Sequence, residues 1–166
     1  MKAGTTVRDD GTVEIMIPLT PYTKKNSQEI RYKRKRGGGK VPFISPSENY
    51  KQYESDCFMF MKPLNIGYPV NIAAKFYMPT RRRVDLTNLN EAIHDILSNY
   101  GVLQDDNASI VVSTDGSRVY YDKENPRTEL LITKEEQTFF TAQQARDKEK
   151  PKRQAKSAKK ITEKNN

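Results

Sequence analysis

The hydrophobic pattern between residues 70 and 100 constrains the fold more than any other feature of the chain. Apolar residues first occupy every second position, which predicts a strand with one buried face. They are Val70, Ile72, Ala74, Phe76 and Met78. After Pro79 the apolar residues recur at helical spacing, which predicts a helix over residues 87–100 that stops at Gly101. Its buried stripe consists of Leu89, Ala92, Ile93 and Ile96.

Weaker patterns predict the remaining elements. Residues 13–17 alternate as a short strand that ends at Pro18, and residues 128–133 predict a last strand. Ser45-Pro46-Ser47-Glu48 has the form of a capping box with proline at the first helical position, followed by an amphipathic helix that ends before Pro63. Residues 110–113 and 117–121 predict two strands joined as a hairpin at Thr114-Asp115-Gly116. The order indicates an α+β domain, a small mixed sheet with two helices packed on it.

The positive charge is concentrated in two segments. The 166 residues carry a net charge of +8, yet residues 145–166 alone carry +6 and residues 22–42 carry +7, which leaves −5 for the rest. We expect one folded domain over residues 1–136, in which residues 22–42 form a mobile basic loop. We expect residues 137–166 to form a basic, disordered tail. An acidic body with basic extensions favours a polyanionic partner.

Two negative observations narrow the class of protein. No 18-residue apolar run is present, which predicts a soluble, cytoplasmic protein that does not contact a membrane. Cys57 is the single cysteine and His94 the single histidine, which disfavours a zinc site. His94 lies at the edge of the polar helix face, where we expect it to be exposed.

Basic and acidic residues stand side by side at the start of the second predicted helix. Arg81, Arg82 and Arg83 suit a nucleic-acid backbone, and Asp85 follows them at the helix N-terminus, where free N–H groups stabilise a carboxylate. Asp105-Asp106-Asn107 follows the same helix. Because that helix is about 20 Å long, its flanking carboxylates share a cation only if the chain folds back across it. Magnesium is the natural candidate for such oxygen ligands.

Each of these features also has an ordinary structural interpretation. Asp-Asp-Asn is a common turn composition, and Asp85 can serve as a helix cap alone. Asn88, Glu91 and Asp95 can form a solvated helix face, and the three arginines an exposed loop.

The combined spacing resembles the RusA-like family of Holliday junction resolvases. The similarity lies in Arg-Val-Asp85-Leu-Thr-Asn88-Leu, then Asp95-Ile-Leu, then Gly-Val-Leu-Gln-Asp105-Asp106, over roughly residues 82–110. Pro126-Arg127 near the last strand is also similar, and Lys24-Lys25-Asn26-Ser27 more loosely so. The resemblance implies a magnesium-dependent, homodimeric endonuclease that cuts four-way DNA junctions, often prophage-encoded, with Asp85 and Asp106 as metal ligands and Asp105 beside them. Manganese is the alternative cation.

The chain departs from that pattern twice. Thr87 stands where many members have a second aspartate, and Glu91 stands where some have a lysine. We hypothesise that Glu91 approaches the cation and offsets the lost carboxylate. Residues expected to hold flanking phosphates are Lys24, Lys25, Asn26, Arg81, Arg82 and Arg83, while Thr87, Asn88 and Asp95 support the site. The alternative is a non-catalytic, basic nucleic-acid-binding protein on a degenerate nuclease fold.

Overall fold

The computed structural model describes residues 2–24 and 28–136, with Gln28 and Glu29 described by their backbone alone. The described elements are β1 (Gly4–Val7), β2 (Val13–Ile17), β3 (Gln28–Arg34), β4 (Lys40–Pro46), α1 (Glu48–Cys57), β5 (Val70–Met78), α2 (Leu86–Asn99), β6 (Val111–Ser113), β7 (Arg118–Tyr121) and β8 (Arg127–Lys134). A short 3₁₀ turn, Phe58–Phe60, extends α1. The predicted disordered tail lies outside the described residues. Within them, no helix is both long and apolar enough to cross a membrane.

The main sheet has the strand order β1-β2-β8-β5, and both β6 and β7 pair with the far side of β5. The β1–β2, β2–β8 and β8–β5 pairings are antiparallel, whereas β6 and β7 run parallel to β5. The predicted α+β class, a mixed sheet with two helices, is therefore confirmed. The edge strand β1 was not predicted, because its four residues show no clear alternation.

The predicted hairpin at Thr114-Asp115-Gly116 is wrong. Val111 pairs with Val70 and Arg118 pairs with Lys75, both in the parallel sense, so the chain continues along β5 instead of reversing. Asn71 pairs with Ser113 and Lys75 pairs with Arg118, so four residue steps along β5 are matched by five on the neighbouring strand. Residues 114–117 therefore form a bulge, and β6 and β7 are two parts of one interrupted strand. Gly116 lies in this bulge at φ +90°, a conformation that glycine adopts without strain.

Residues 22–42 do not form a loop throughout, as we expected them to. β3 and β4 form a separate two-stranded antiparallel sheet, and residues 35–39 close it as a tight turn. In that turn the Lys35 N–H donates to the Gly39 carbonyl at 3.1 Å, and Gly38 and Gly39 both have positive φ. The glycine run thus makes the reversal possible.

The first helix begins two residues later than the capping box predicts. Pro46 ends β4 and Ser45 is paired with Glu29 in the hairpin, so the helix cap falls on Ser47. The Ser47 hydroxyl accepts a hydrogen bond from the Tyr50 N–H at 3.2 Å. Cys57, at the end of α1, is fully buried, and burial raises the pKa of its thiol to about 12.

The second helix agrees with its prediction to within one residue at each end. Its apolar stripe is buried in one core with side chains of the central strands; the stripe consists of Leu89, Ala92, Ile93 and Ile96. β5 is paired along both of its sides and leads through residues 79–85 into α2. The site at this connection is therefore attached to the best-supported strand of the sheet.

Candidate active site

Asp85 is the N-cap of α2, as predicted. Its backbone is extended, with φ −89° and ψ 120°, and its Oδ1 accepts a hydrogen bond from the Thr87 N–H at 2.8 Å. Both side chains are exposed. The carboxylate thus satisfies one free N–H group of the helix and still faces solvent, where a cation or a phosphate-bound cation has access.

The three arginines before Asp85 have different surroundings. The Arg81 guanidinium lies over the Tyr121 ring, 4.8 Å from its centroid, so it joins the loop to β7. Arg82 and Arg83 are exposed and line an open cleft of about 350 Å³, whose other wall is the segment 20–23. Among the described residues neither of them forms an ion pair, which leaves both guanidinium groups available to phosphate.

The Asp105-Asp106-Asn107 segment is a turn closed by its own side chains. Asp105 accepts hydrogen bonds from the Asn107 side chain at 2.9 Å and from the Asp106 N–H at 2.7 Å. These bonds, that from Asn107 first, lower the pKa of the Asp105 carboxyl. Asp105 therefore shapes the turn, and the Asp106 side chain is exposed.

Asp106 lies near enough to α2 to act on one of its side chains. The charge of Asp106 acts on His94, near the middle of the helix, and opposes the lowering of the His94 pKa that burial causes. His94 follows Asp85 by nine residues, which corresponds to about 13 Å along the helix axis. Over residues 2–24 and 28–136, no three aspartate, glutamate, histidine or cysteine side chains stand together as a metal site.

His94 itself is not the exposed residue that we expected. It is half-buried, and its Nε2 is buried without a hydrogen-bond partner among the described residues. The prediction was wrong because a position at the edge of the polar face is covered here by neighbouring chain, a tertiary contact that helical periodicity does not contain.

A second group of charges lies further along the polar face of α2. Lys24 donates to Asp95 at 2.8 Å, and this bond, with the charges of Asp95, Glu54 and Glu91, raises the pKa of Lys24. Lys24 is therefore tied to the helix instead of standing free for phosphate. Glu91 and Asn88 are also partly buried and engaged with neighbours, so this face is not simply solvated. Lys25 and Asn26 lie outside the described residues.

Arg127 is a structural residue that the sequence indicated only through the family resemblance. It forms ion pairs with Asp122 and Glu129, both at 2.8 Å, and lies over the Tyr77 ring at 3.6 Å from the centroid. Tyr77 in turn stacks on Tyr120. Because two carboxylates neutralise its charge, Arg127 fastens β8 to the β5–β7 edge and does not offer a free cation.

Comparison with known proteins agrees with this architecture. No curated protein matches the chain. The family model described as "Endodeoxyribonuclease RusA" matches residues 18–133, which include the hairpin, both helices and most of β8. This match supports a nuclease. The match covers more than half of the sequence, and the chain belongs to the RusA family of Holliday junction resolvases, nucleases that generally depend on a divalent metal.

Proposed function

We propose that this protein is a magnesium-dependent, structure-specific endonuclease that resolves four-way DNA junctions by paired strand cuts. The observation that carries the proposal is the exposed Asp85 carboxylate at the N-terminus of α2. It is separated by one residue from Arg82 and Arg83, which form no ion pair with any described residue. A phosphate held by Arg82 and Arg83 would lie beside a carboxylate able to bind a cation.

The donor chemistry of the acidic residues fits magnesium. Magnesium takes oxygen ligands and is often held by only one or two carboxylates, with water and substrate phosphate completing its shell. Asp85 and Asp106 are exposed carboxylates of this kind, and manganese accepts the same donors. When bound, the cation would supply an activated water and charge neutralisation at the scissile phosphate.

The protein residues have distinct tasks in this proposal. Asp85 and Asp106 bind the cation, and Asp105 holds the turn that presents Asp106. Arg82 and Arg83 orient the phosphodiester from the cleft. Glu91 is half-buried on the same helix and its charge contributes to raising the pKa of Lys24; it remains our proposed third ligand of the cation.

Because the described residues of one copy contain no cluster of three possible metal ligands, we place the complete site across a two-fold homodimer. Asp85 of one copy and Asp106 of a second copy would then share a cation, and the symmetry would generate two sites for the two cuts.

A direct test of the nuclease activity uses a labelled synthetic four-way junction, with a linear duplex of the same sequence as the substrate control. Wild type should produce magnesium-dependent, paired nicks in the junction, and Asp106→Asn should lose them. Asp115→Asn removes an exposed carboxylate from the bulge between β6 and β7 and should cut like wild type. Cleavage that survives in Asp106→Asn would remove Asp106 from the site.

Mixing two inactive variants tests the shared site. If Asp85 and Asp106 act across the dimer, an equilibrated mixture of Asp85→Asn and Asp106→Asn regains about a quarter of the intact sites, because half of the dimers are mixed and each holds one intact pair. A mixture that stays inactive while wild type cuts would place both ligands in one chain.

A non-catalytic junction-binding protein is the second candidate. The observations that favour it are the two departures, Thr87 and Glu91, and the lack of a cluster of three possible metal ligands in the described part of the chain. Tight junction binding by wild type and by Asp106→Asn, with no nicks in magnesium or manganese, would support this candidate.

A further inference from the structure

The β3–β4 hairpin has two unlike faces, and one of them is open. In the antiparallel register Ile30 is opposite Ile44, and Tyr32 is opposite Pro42, so these four side chains lie on one face. Ile30, Tyr32 and Ile44 are 69%, 64% and 68% exposed. Three large, mostly apolar side chains thus form a continuous exposed patch, which marks an interaction surface in a small protein.

The opposite face holds the hairpin against the body of the protein. Ser45 is buried, and Arg31 forms an ion pair with Glu48 in the first turn of α1. Glu48 is also paired with Lys51 at 3.0 Å. The base of the hairpin is thus held to α1 through this face, and the open face takes no part in that contact.

The free end of the hairpin is strongly cationic. Residues 30–46 contain six lysines and arginines and no acidic residue, and five of the six lie between Lys33 and Lys40. Arg34 and Lys40 are directly opposite each other in the register and share the open face with Tyr32. Because side chains on one face repeat every second residue, Tyr32 lies about 7 Å from this cationic pair.

The charge decides between two occupants of the open face. A second copy would bring two hairpins together, each of net charge +5 once Glu29 of β3 is counted, and like charges in an interface are unfavourable. A nucleic acid would instead meet phosphate at the cationic end and bases or sugars at the apolar patch. A two-stranded β-ribbon also fits the DNA major groove, which is about 12 Å wide.

We propose that the open face of the β3–β4 hairpin binds the branch point of junction DNA, with Tyr32 packed on an unstacked base and Arg34 and Lys40 on the flanking phosphates. This inference rests on the proposed function, since it assigns a second contact to the same substrate. Bases at a branch point expose faces that a continuous duplex keeps stacked, and an aromatic ring binds such faces without regard to sequence. The hairpin would thus distinguish a junction from a duplex by shape.

The experiment measures the affinity of Tyr32→Ala for a four-way junction and for a linear duplex by fluorescence anisotropy, without divalent metal so that no cutting occurs. Loss of one stacked base should weaken junction binding about tenfold and leave duplex binding unchanged. Tyr32→Phe retains the ring and should bind like wild type. Tyr68→Ala is the matched control, because Tyr68 is also exposed beside a cation, Lys134, but lies outside the hairpin.

A fluorescent 2-aminopurine at the branch point provides an independent signal. Wild type should change its emission, and Tyr32→Ala should lose most of that change. Equal weakening on junction and duplex, or no weakening, would overturn the inference, as would dissociation of a dimer by Tyr32→Ala in sedimentation, which would assign the face to a second copy. If wild type cuts junctions normally and these results still occur, only the hairpin role fails. If wild type neither cuts nor prefers junctions, the proposed function fails first.

Discussion

Asp85 combines two tasks that different substitutions should separate. As the N-cap of α2 it accepts the Thr87 N–H, and as a proposed ligand it supplies negative charge. Asparagine keeps an oxygen at the Oδ1 position and loses the charge, whereas alanine loses both. We therefore expect Asp85→Asn to fold almost as well as wild type and to cut junctions poorly.

The expected changes in stability and in cleavage rate follow from what each substitution removes. Removing an N-cap side chain costs about 1 kcal/mol, and asparagine and aspartate are nearly equivalent caps. Asp85→Ala should therefore lower the urea midpoint by about 0.5 M, with a denaturant dependence of about 2 kcal/mol/M, and Asp85→Asn by much less. Loss of a carboxylate that binds the cation should slow cleavage about 100-fold in both variants, since about 3 kcal/mol of charge stabilisation corresponds to two powers of ten.

Two assays on four proteins test these expectations. Urea unfolding measures the cap, and single-turnover junction cleavage measures the ligand. Ser47→Ala is the matched control, because it removes the cap of α1 and should lower stability without changing cleavage. Equal instability of Asp85→Asn and Asp85→Ala would refute the role of the side-chain oxygen as a cap. Wild-type cleavage by Asp85→Asn would refute the role of the carboxylate as a ligand.

Three further predictions concern the core, the histidine and the tail. Ile96→Ala should cost about 3–4 kcal/mol in urea unfolding because Ile96 is fully buried, whereas Met59→Ala, at an 80% exposed position, should change it by less than about 0.5 kcal/mol. Because burial lowers the pKa of His94 below 6.5, its contribution to stability is full above pH 6.5 and is lost as the pH falls through the folded-state value. His94→Gln should therefore flatten the decline in unfolding free energy as the pH falls below 6.5, and an equally steep decline would contradict this. Deleting residues 137–166 should reduce the slope of log affinity for DNA against log salt by about 0.9 for every phosphate that the tail neutralises, whereas an unchanged slope would exclude the tail from binding.

The sequence predicted best those strands and helices in which buried residues recur at a regular spacing. The alternation in β5 and the apolar stripe of α2 report which face is inside, and Pro79 and Gly101 mark the bounds. The bulge at Gly116 was mistaken for a hairpin because a Thr-Asp-Gly turn has the same composition in both cases. Only the strand register, a long-range property, distinguishes them.

The hairpin of β3 and β4 carried a signal that the loop prediction did not use. Ile30 and Tyr32 alternate with basic residues, and the glycine run supplies the positive φ of its turn. Its alternation places apolar residues outward, whereas the usual pattern places them toward a core, and this is why the segment looked like a loop. For the site, the sequence located the cap and the acidic turn. It did not contain the distance between them, which depends on how the chain returns past His94.

The reactivity of Cys57 can report local unfolding of α1. Because the thiol is fully buried at the end of α1 and its pKa is raised to about 12, an alkylating reagent at neutral pH meets neither an accessible sulfur nor a thiolate. Modification should therefore proceed only when α1 separates from the sheet, and its rate would give the free energy of that separation without denaturant. The rate of Cys57 alkylation in the presence of junction DNA would show whether the substrate makes the separation of α1 less frequent. α1 is the helix to which the hairpin is held by the Arg31–Glu48 ion pair.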